Sequence, residues 1–128
     1  MSLPTVWPTL RARQCAVLMD FYERAFGFTT TLVVRDGDVV AHAEMTTPFG
    51  SGLMLGDHRD DSSWSLAPGS AGIYLVVDDV DGFVERALRE GAQLIEAAHE
   101  SLPGQRQATV ADIDGNLWAV GTYKGTPA

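Results

Sequence analysis

The chain carries one pattern of strands and a helix twice, and this internal repeat constrains its fold more than any other feature. Each copy has one strand-like segment, one amphipathic helix and three further strand-like segments. A glycine follows each helix, and Gly27 and Gly91 lie 64 positions apart, as do Leu53 and Leu117 in the closing strands. Self-similarity at a fixed period marks a duplicated structural unit. We therefore expect an α+β fold of two βαβββ modules.

Local spacing sets the boundaries of the predicted elements. Apolar side chains at three- and four-residue spacing predict a helix over 15–26, and the Asp78-Asp79 pair precedes a second helix that ends at Gly91. Pro8 indicates an edge position or a bulge in the first strand, predicted over 6–12. The other predicted strands are 29–34, 39–46, 53–56, 73–77, 94–98, 106–111 and 117–122. The expected organisation is a single domain over 1–128, with module one at about 5–56, a polar linker at 57–71 and module two at about 72–123.

Composition limits what the chain binds and where it works. Its 17 acidic and 9 basic side chains give a formal charge of -8, and such a surface repels phosphate backbones, so nucleic acid is not an expected partner. No segment approaches the ~20 apolar residues that span a bilayer, and no basic leader precedes an apolar stretch. Cys15, the only cysteine, excludes an intrachain disulfide and is expected in the core. These features predict a cytoplasmic protein that does not bind membranes.

Three segments are similar to a known family. Residues 21–28 (FYERAFGF) resemble the first-helix signature of the glyoxalase/bleomycin-resistance/dioxygenase superfamily, also called vicinal oxygen chelate. Residues 77–92 (VDDVDGFVERALREGA) resemble its second-repeat helix, and residues 112–123 (DIDGNLWAVGTY) its closing turn and strand. The resemblance implies two βαβββ modules whose eight strands form a curled mixed sheet around an open, ligand-holding cavity. It also implies a homodimer.

The positions that hold a metal ion in members of that family carry no ligand here. The resemblance places them at Trp7, Leu55, Gly72 and Ala119. None of these side chains offers a lone pair suited to a hard or borderline cation. Glyoxalase-type isomerisation and extradiol ring cleavage both use the metal as Lewis acid or oxygen-activating centre. We therefore expect no metal and no other cofactor, and whether the chain is an enzyme stays open.

Strand alternation supplies the candidate site residues. His42 and Glu44 lie two residues apart on one strand, so they share a face, which we expect to line the cavity. They are the candidate catalytic pair, and a metal bound there would also need His58 or His99 from loops. Alternation places Met54 and Trp118 toward the helices instead. The expected ligand-binding residues are Trp7, Arg11, His42, Glu44, Leu55, Trp64, Tyr74, Arg106 and Ala119.

Several of these residues keep two interpretations. Trp7 either stacks on a ligand or fills the cavity, and Trp64 in the linker is either a lid or a dimer contact. Arg106, which mirrors His42 at a distance of 64 positions, either binds a ligand together with Glu44 or forms a salt bridge with it.

Three functions compete. The leading hypothesis is a metal-independent small-molecule-binding protein similar to bleomycin-resistance proteins, with an aromatic or cationic ligand. The alternative is a glyoxalase-like lyase or isomerase, or a dioxygenase, with a displaced metal or with His42 and Glu44 as a metal-free acid–base pair. The third is a non-catalytic interaction domain whose cavity is filled by Trp7 and Tyr74.

Overall fold

The two predicted modules are present and follow each other along the chain. The computed structural model describes residues 4–64 and 66–128. Module one contains β1 (Thr9–Ala12), α1 (Cys15–Phe26), β2 (Thr29–Asp36), β3 (Val39–Thr46) and β4 (Gly52–Asp57). Module two contains β5 (Gly72–Val76), α2 (Val80–Arg89), β6 (Gln93–Glu100), β7 (Arg106–Ala111) and β8 (Leu117–Gly121). The predicted α+β class with two βαβββ modules is confirmed.

The eight described strands form two mixed sheets of four strands each. Sheet one has the order β1-β4-β3-β2 and sheet two the order β5-β8-β7-β6. In each sheet the first strand pairs in parallel with the last, and the other pairs are antiparallel. Within one chain the hydrogen-bonded ladders therefore stop at β1 and β5, and the strands are not joined into one continuous sheet.

Local chemistry explains where the elements begin and end. Helix α1 ends at Gly27, whose φ of 74° lies in the left-handed region and whose N–H donates to the carbonyl of Tyr22. Helix α2 begins after Asp79, whose side chain accepts the Gly82 N–H at 3.0 Å. Strand β1 begins at Thr9 rather than Val6, because Pro8 has no N–H to donate to a ladder.

The helices lie between the two sheets. The inner face of sheet one packs on α1, and Trp118 of β8 reaches α1 from sheet two, with its ring centroid 5.4 Å from that of Tyr22 and 5.1 Å from that of Phe26. A gap of about 280 Å³ where the two sheets meet is lined by Leu53 from one sheet and by Leu75 from the other. Both inner faces thus share one core, and the two outer faces point away from each other.

A buried carboxylate joins module two to α1. Asp112, 5% exposed in the turn before β8, accepts the Tyr22 hydroxyl at 2.6 Å and the Trp118 indole N–H at 3.0 Å on Oδ2. Its Oδ1 accepts the backbone N–H groups of residues 114–116 at 2.9 to 3.0 Å. The closing turn that the resemblance implies is present, and its carboxylate also connects the modules.

Arginine side chains make a second connection between the modules, here between the two helices. The Arg86 guanidinium on α2 donates to the carbonyl of Arg24 at 2.8 Å and to that of Glu23 at 3.4 Å, at the C-terminus of α1. A cation at this end of a helix is stabilised by the helix dipole. Arg24 in turn pairs with Glu90 at 3.1 Å.

The linker runs beside the free edge of β1. Leu66 and Ala67 face the 9–11 segment across a narrow gap, and Asn116 Oδ1 accepts the N–H of Ala71 at 3.1 Å. Covering an edge strand in this way limits unwanted strand pairing. No helix among the described residues is long and apolar enough to cross a membrane.

Tyr22→Phe tests the connection through Asp112. Losing a hydrogen bond to a buried carboxylate is expected to lower the free energy of unfolding by about 1.5–3 kcal/mol, measured by urea denaturation at neutral pH. Tyr123→Phe is the matched control, since among the described residues that hydroxyl hydrogen-bonds only with Thr126 in the exposed C-terminal segment. It is expected to change stability by less than about 0.5 kcal/mol. Equal stability of Tyr22→Phe and wild type would contradict the role of this bond.

The same variant tests a dependence on pH. Burial, and then the charge of Asp112, raises the pKa of Tyr22 well above its usual value, so the fold favours the neutral phenol. The stabilisation is complete below about pH 10, where unfolded tyrosine titrates, and is lost as the pH rises through the folded pKa. Wild type should therefore lose stability more steeply than Tyr22→Phe above about pH 10.

Candidate functional site

The outer face of sheet one carries the candidate catalytic pair. Thr9, Met54, Glu44 and Leu32 lie in register across the four strands, so their side chains share this face. His42, the next outward residue of β3, lies beside Glu44, with 2.8 Å between Nε2 and Oε2. Both side chains are partly exposed, at 37% and 27%. His42 and Glu44 can together bind a polar group of a ligand, or a proton can pass between them.

Two larger side chains cover glycines on the same face. A Cβ added to Gly52 would lie 2.5 Å from Cζ3 of Trp7, so the indole occupies the space above this glycine. The Trp7 N–H donates to the Pro4 carbonyl at 3.1 Å, which fixes the ring. Arg11 lies above Gly56 in the same way, with Nη1 2.8 Å from the added Cβ. Trp7 and Arg11 thus share the outer face of sheet one with His42 and Glu44, and their role in ligand binding stays a prediction.

The outer face of sheet two is built similarly. Tyr74 and Ala119 are paired in register, and the Tyr74 ring lies above Gly121, where an added Cβ would be 2.5 Å from the phenol oxygen. That hydroxyl donates to the carbonyl of Tyr123 at 2.7 Å. A Cβ on Gly72 would meet no atom within 4 Å, so the face is open there.

The prediction for Leu55 was wrong. Leu55 is fully buried and lies in register with Leu10 and Ala43, whose side chains face the helices. Met54 takes the outer position, although it was expected to face the helices. The reason is the register: Met54 and Ala119 both pair with the first strand of their module and lie 65 positions apart, not 64. A shift of one residue moves a strand's side chain to the other face.

The prediction for Arg106 was wrong for the same reason. Arg106 shares the parity of Ala108 and Val110, which face α2. Its guanidinium makes a bidentate pair with Asp81 of α2, with Nε–Oδ2 and Nη2–Oδ1 distances of 2.7 and 2.9 Å. Hydrogen bonding to this guanidinium lowers the pKa of Asp81, and the carboxylate raises the pKa of Arg106. Arg106 therefore forms neither a binding pair nor a salt bridge with Glu44.

Trp64 lies in the linker with 53% of its surface exposed, and its backbone N–H donates to the Ser62 hydroxyl at 3.0 Å. A role as a lid or as a dimer contact stays a prediction.

The predicted cavity residues divide between opposite sides of the chain. Trp7, Arg11, His42 and Glu44 lie on the outer face of sheet one, and Tyr74 and Ala119 on that of sheet two. The inner faces share the helix layer, and among the described residues no hydrogen bond or ion pair joins these two groups. Sequence reasoning missed Met54, and the 65-position distance between Trp7 and Gly72 is the signal that could have found it.

Comparisons with known proteins identify the family. The family model of the Glyoxalase/Bleomycin resistance protein/Dioxygenase superfamily matches residues 5–120. The chain belongs to this superfamily. An uncharacterized protein of Mycobacterium bovis is 34% identical over 127 residues, which cover 92% of this chain and 82% of that one. An uncharacterized protein of Mycobacterium tuberculosis is also 34% identical, over 92% of this chain and 74% of its own length.

Solved structures share the fold. TioX from Micromonospora sp. ML1 has a TM-score of 0.75 at 24% identity and covers 98% of this chain and 100% of its own. A superfamily member from Sphaerobacter thermophilus has a TM-score of 0.74 at 20% identity and covers 94% and 98%. At these identities the likeness concerns the fold alone.

The residues of this superfamily member do not fit the metal of the family. With the corrected register, the positions to which the resemblance assigns metal ligands become Trp7, Met54, Gly72 and Ala119. Of these side chains only the Met54 thioether can coordinate, and it is a soft ligand. Within residues 4–64 and 66–128, no group of three or more His, Cys, Asp and Glu side chains is arranged to hold a metal ion. Neither His58 nor His99 thus completes a site with His42.

Cys15 is buried, as predicted, and is expected to be unreactive. It has no exposed surface, and burial followed by the charge of Asp57 raises the pKa of its thiol to about 12. Native protein at mildly alkaline pH should not react with a chromogenic disulfide reagent, while protein in concentrated guanidinium chloride should react fully. Val17→Cys, at a position 49% exposed on α1, is the positive control and should react in the native state. Rapid reaction of native wild type would contradict the assignment.

Proposed function

We propose that the chain is a cytoplasmic, metal-independent small-molecule-binding protein that acts as a homodimer. The ligand is aromatic, with a cationic group. The proposal depends most on the outer sheet faces, which combine fixed aromatic rings and a few polar groups with uncovered apolar side chains. This composition is typical of a small-molecule pocket, but each face alone is open.

The exposed apolar residues favour a partner surface. On sheet one, Leu32 and Val34 are 42% and 45% exposed, and on sheet two Tyr74 and Leu117 are 42% and 45% exposed. Contiguous apolar surface of this kind marks interaction sites in soluble proteins. Because the outer faces point in opposite directions, a site that uses both faces needs sheet one of one chain and sheet two of a second copy. A homodimer with twofold symmetry would form two such sites.

The chemistry of the faces supports an aromatic ligand. The rings of Trp7 and Tyr74 are held above glycines, so they offer rigid apolar surface without loss of side-chain entropy. One oxygen of Glu44 is bonded to His42, and the other has no hydrogen bond within the described residues, which leaves it for a cationic group. The open space at Gly72 and the small Ala119 leave room for a planar molecule between the faces.

The dimer is tested by introducing a positive charge into its apolar surface. Wild type is expected to sediment as a dimer, and Leu32→Lys as a folded monomer, since burying an unpaired ammonium in the interface is costly. Val17→Lys, an equally exposed position on α1, is the matched control and should stay dimeric. A monomeric wild type would overturn the proposal.

The ligand class is tested with proflavine, a planar aromatic cation, by fluorescence titration. We expect Glu44→Gln to bind it roughly fivefold more weakly, the effect of one partly exposed ion pair. Glu85→Gln removes the same charge on the surface of α2 and should leave the affinity unchanged. Equal proflavine affinities of wild type and both variants would show that Glu44 does not contact the cation.

A metal-free enzyme is the second candidate, favoured by the 2.8 Å contact between His42 and Glu44. In that case the pair would move a proton of the bound ligand, and a chelator would not inhibit the reaction. Chemical conversion of a bound compound by wild type, lost in His42→Ala with binding retained, would favour the enzyme over the binding protein.

A further inference from the structure

A separate concave region lies at the seam between the two modules, where neither outer face contributes. This seam cleft has a volume of about 450 Å³, within the range of small-molecule sites. The end of α1, the loop between β3 and β4, the segment before α2 and the first turns of α2 surround it. Its lining residues are Ala25, Phe26, Gly27, Pro48, Phe49, Val77, Asp78, Asp79, Gly82, Phe83 and Arg86.

Aromatic rings form much of the seam cleft. Phe26 and Phe83 pack with their centroids 5.0 Å apart, joining α1 to α2. Phe49 contributes from the loop and is 43% exposed, although hydrogen bonds hold that loop in place. Thr47 Oγ1 accepts the N–H groups of Phe49 at 3.2 Å and Ser51 at 3.3 Å. The loop therefore presents Phe49 to the cleft rather than to the core.

The charged side chains of the cleft differ in their partners. Asp79 caps α2 through the Gly82 N–H. Arg86 donates to carbonyls at the end of α1, and the negative end of that helix dipole offsets part of its charge. Asp78 is exposed and has no hydrogen bond or ion pair with any residue of 4–64 and 66–128. Among the charged lining residues described, it alone has no hydrogen-bond partner, so its carboxylate oxygens are available to a ligand.

We propose that the seam cleft binds small aromatic ammonium compounds. The aromatic ring of the ligand lies between Phe49 and Phe83, and its ammonium group contacts the Asp78 carboxylate. Burial of one ring against two phenylalanines supplies apolar contact, and the carboxylate supplies the preference for a cation. The formal charge of -8 also raises the local concentration of cations near the protein. This site is independent of the outer-face site and of dimer formation.

The test uses 2-phenylethylammonium as the probe and ¹H–¹⁵N spectra of the full chain as the readout. We expect the amide signals of Gly27 and Gly82, which line the seam cleft, to shift in a saturable way. The signals of Gly52 and Gly121, which lie on the outer faces, are expected to stay in place. Shifts at Gly52 and Gly121 alone would overturn the seam site while favouring the outer-face site.

Matched variants test the two contacts. Asp78→Asn should weaken binding roughly fivefold, and Phe49→Ala by a similar factor. Both positions are exposed, so neither change is expected to unfold the chain. Asp61→Asn removes the same charge in the linker and should bind like wild type. No saturable shift in wild type, unchanged affinity in Asp78→Asn, or equal binding of the anion 3-phenylpropionate would each overturn the proposal.

Discussion

The carboxylate of Asp112 is the interaction on which the arrangement of the two modules depends. A carboxylate buried without hydrogen bonds costs several kcal/mol, so roughly that much opposes any movement of its donors. Those donors are the turn before β8, the Trp118 indole and the Tyr22 hydroxyl of α1. Through the Tyr22 hydroxyl, this hydrogen-bond network holds α1 against sheet two. Helix α1 also packs on sheet one. This shared helix layer is the reason that the outer faces point apart, and hence that a site using both faces needs a second chain.

Much of the fold could be predicted because it depends on short-range rules. The period of the apolar residues and Gly27 located α1, whose bounds match the prediction, and alternation along β3 put His42 beside Glu44. The repeat itself predicted the second module. Most other strand bounds differ from the prediction by one or two residues, and the largest difference, three residues, is at the start of β1, where Pro8 removes a backbone donor.

The site was less predictable because faces depend on register and on how sheets meet. The 64-position spacing holds for Gly27 and Gly91, which follow the helices, but the paired strands are offset by 65 positions. This difference of one residue placed Leu55 and Arg106 on the wrong face. Asp81 could be recognised as the partner of Arg106 only once α2 was placed over sheet two. Alternation predicts which residues of a strand share a face, but it does not predict which helix or sheet packs on that face.

The aromatic rings above glycines restrict the substitutions that this protein can accept during evolution. The Trp7 ring occupies the space that a side chain at Gly52 would need, and the Tyr74 ring does the same at Gly121. A side chain can grow at one member of a pair only when the other becomes smaller. Each pair is thus inherited as a unit, and relatives that exchange the large and small members would carry a ligand surface of altered shape on an unchanged sheet. Covariation at these two pairs would therefore trace ligand divergence separately from changes in the core.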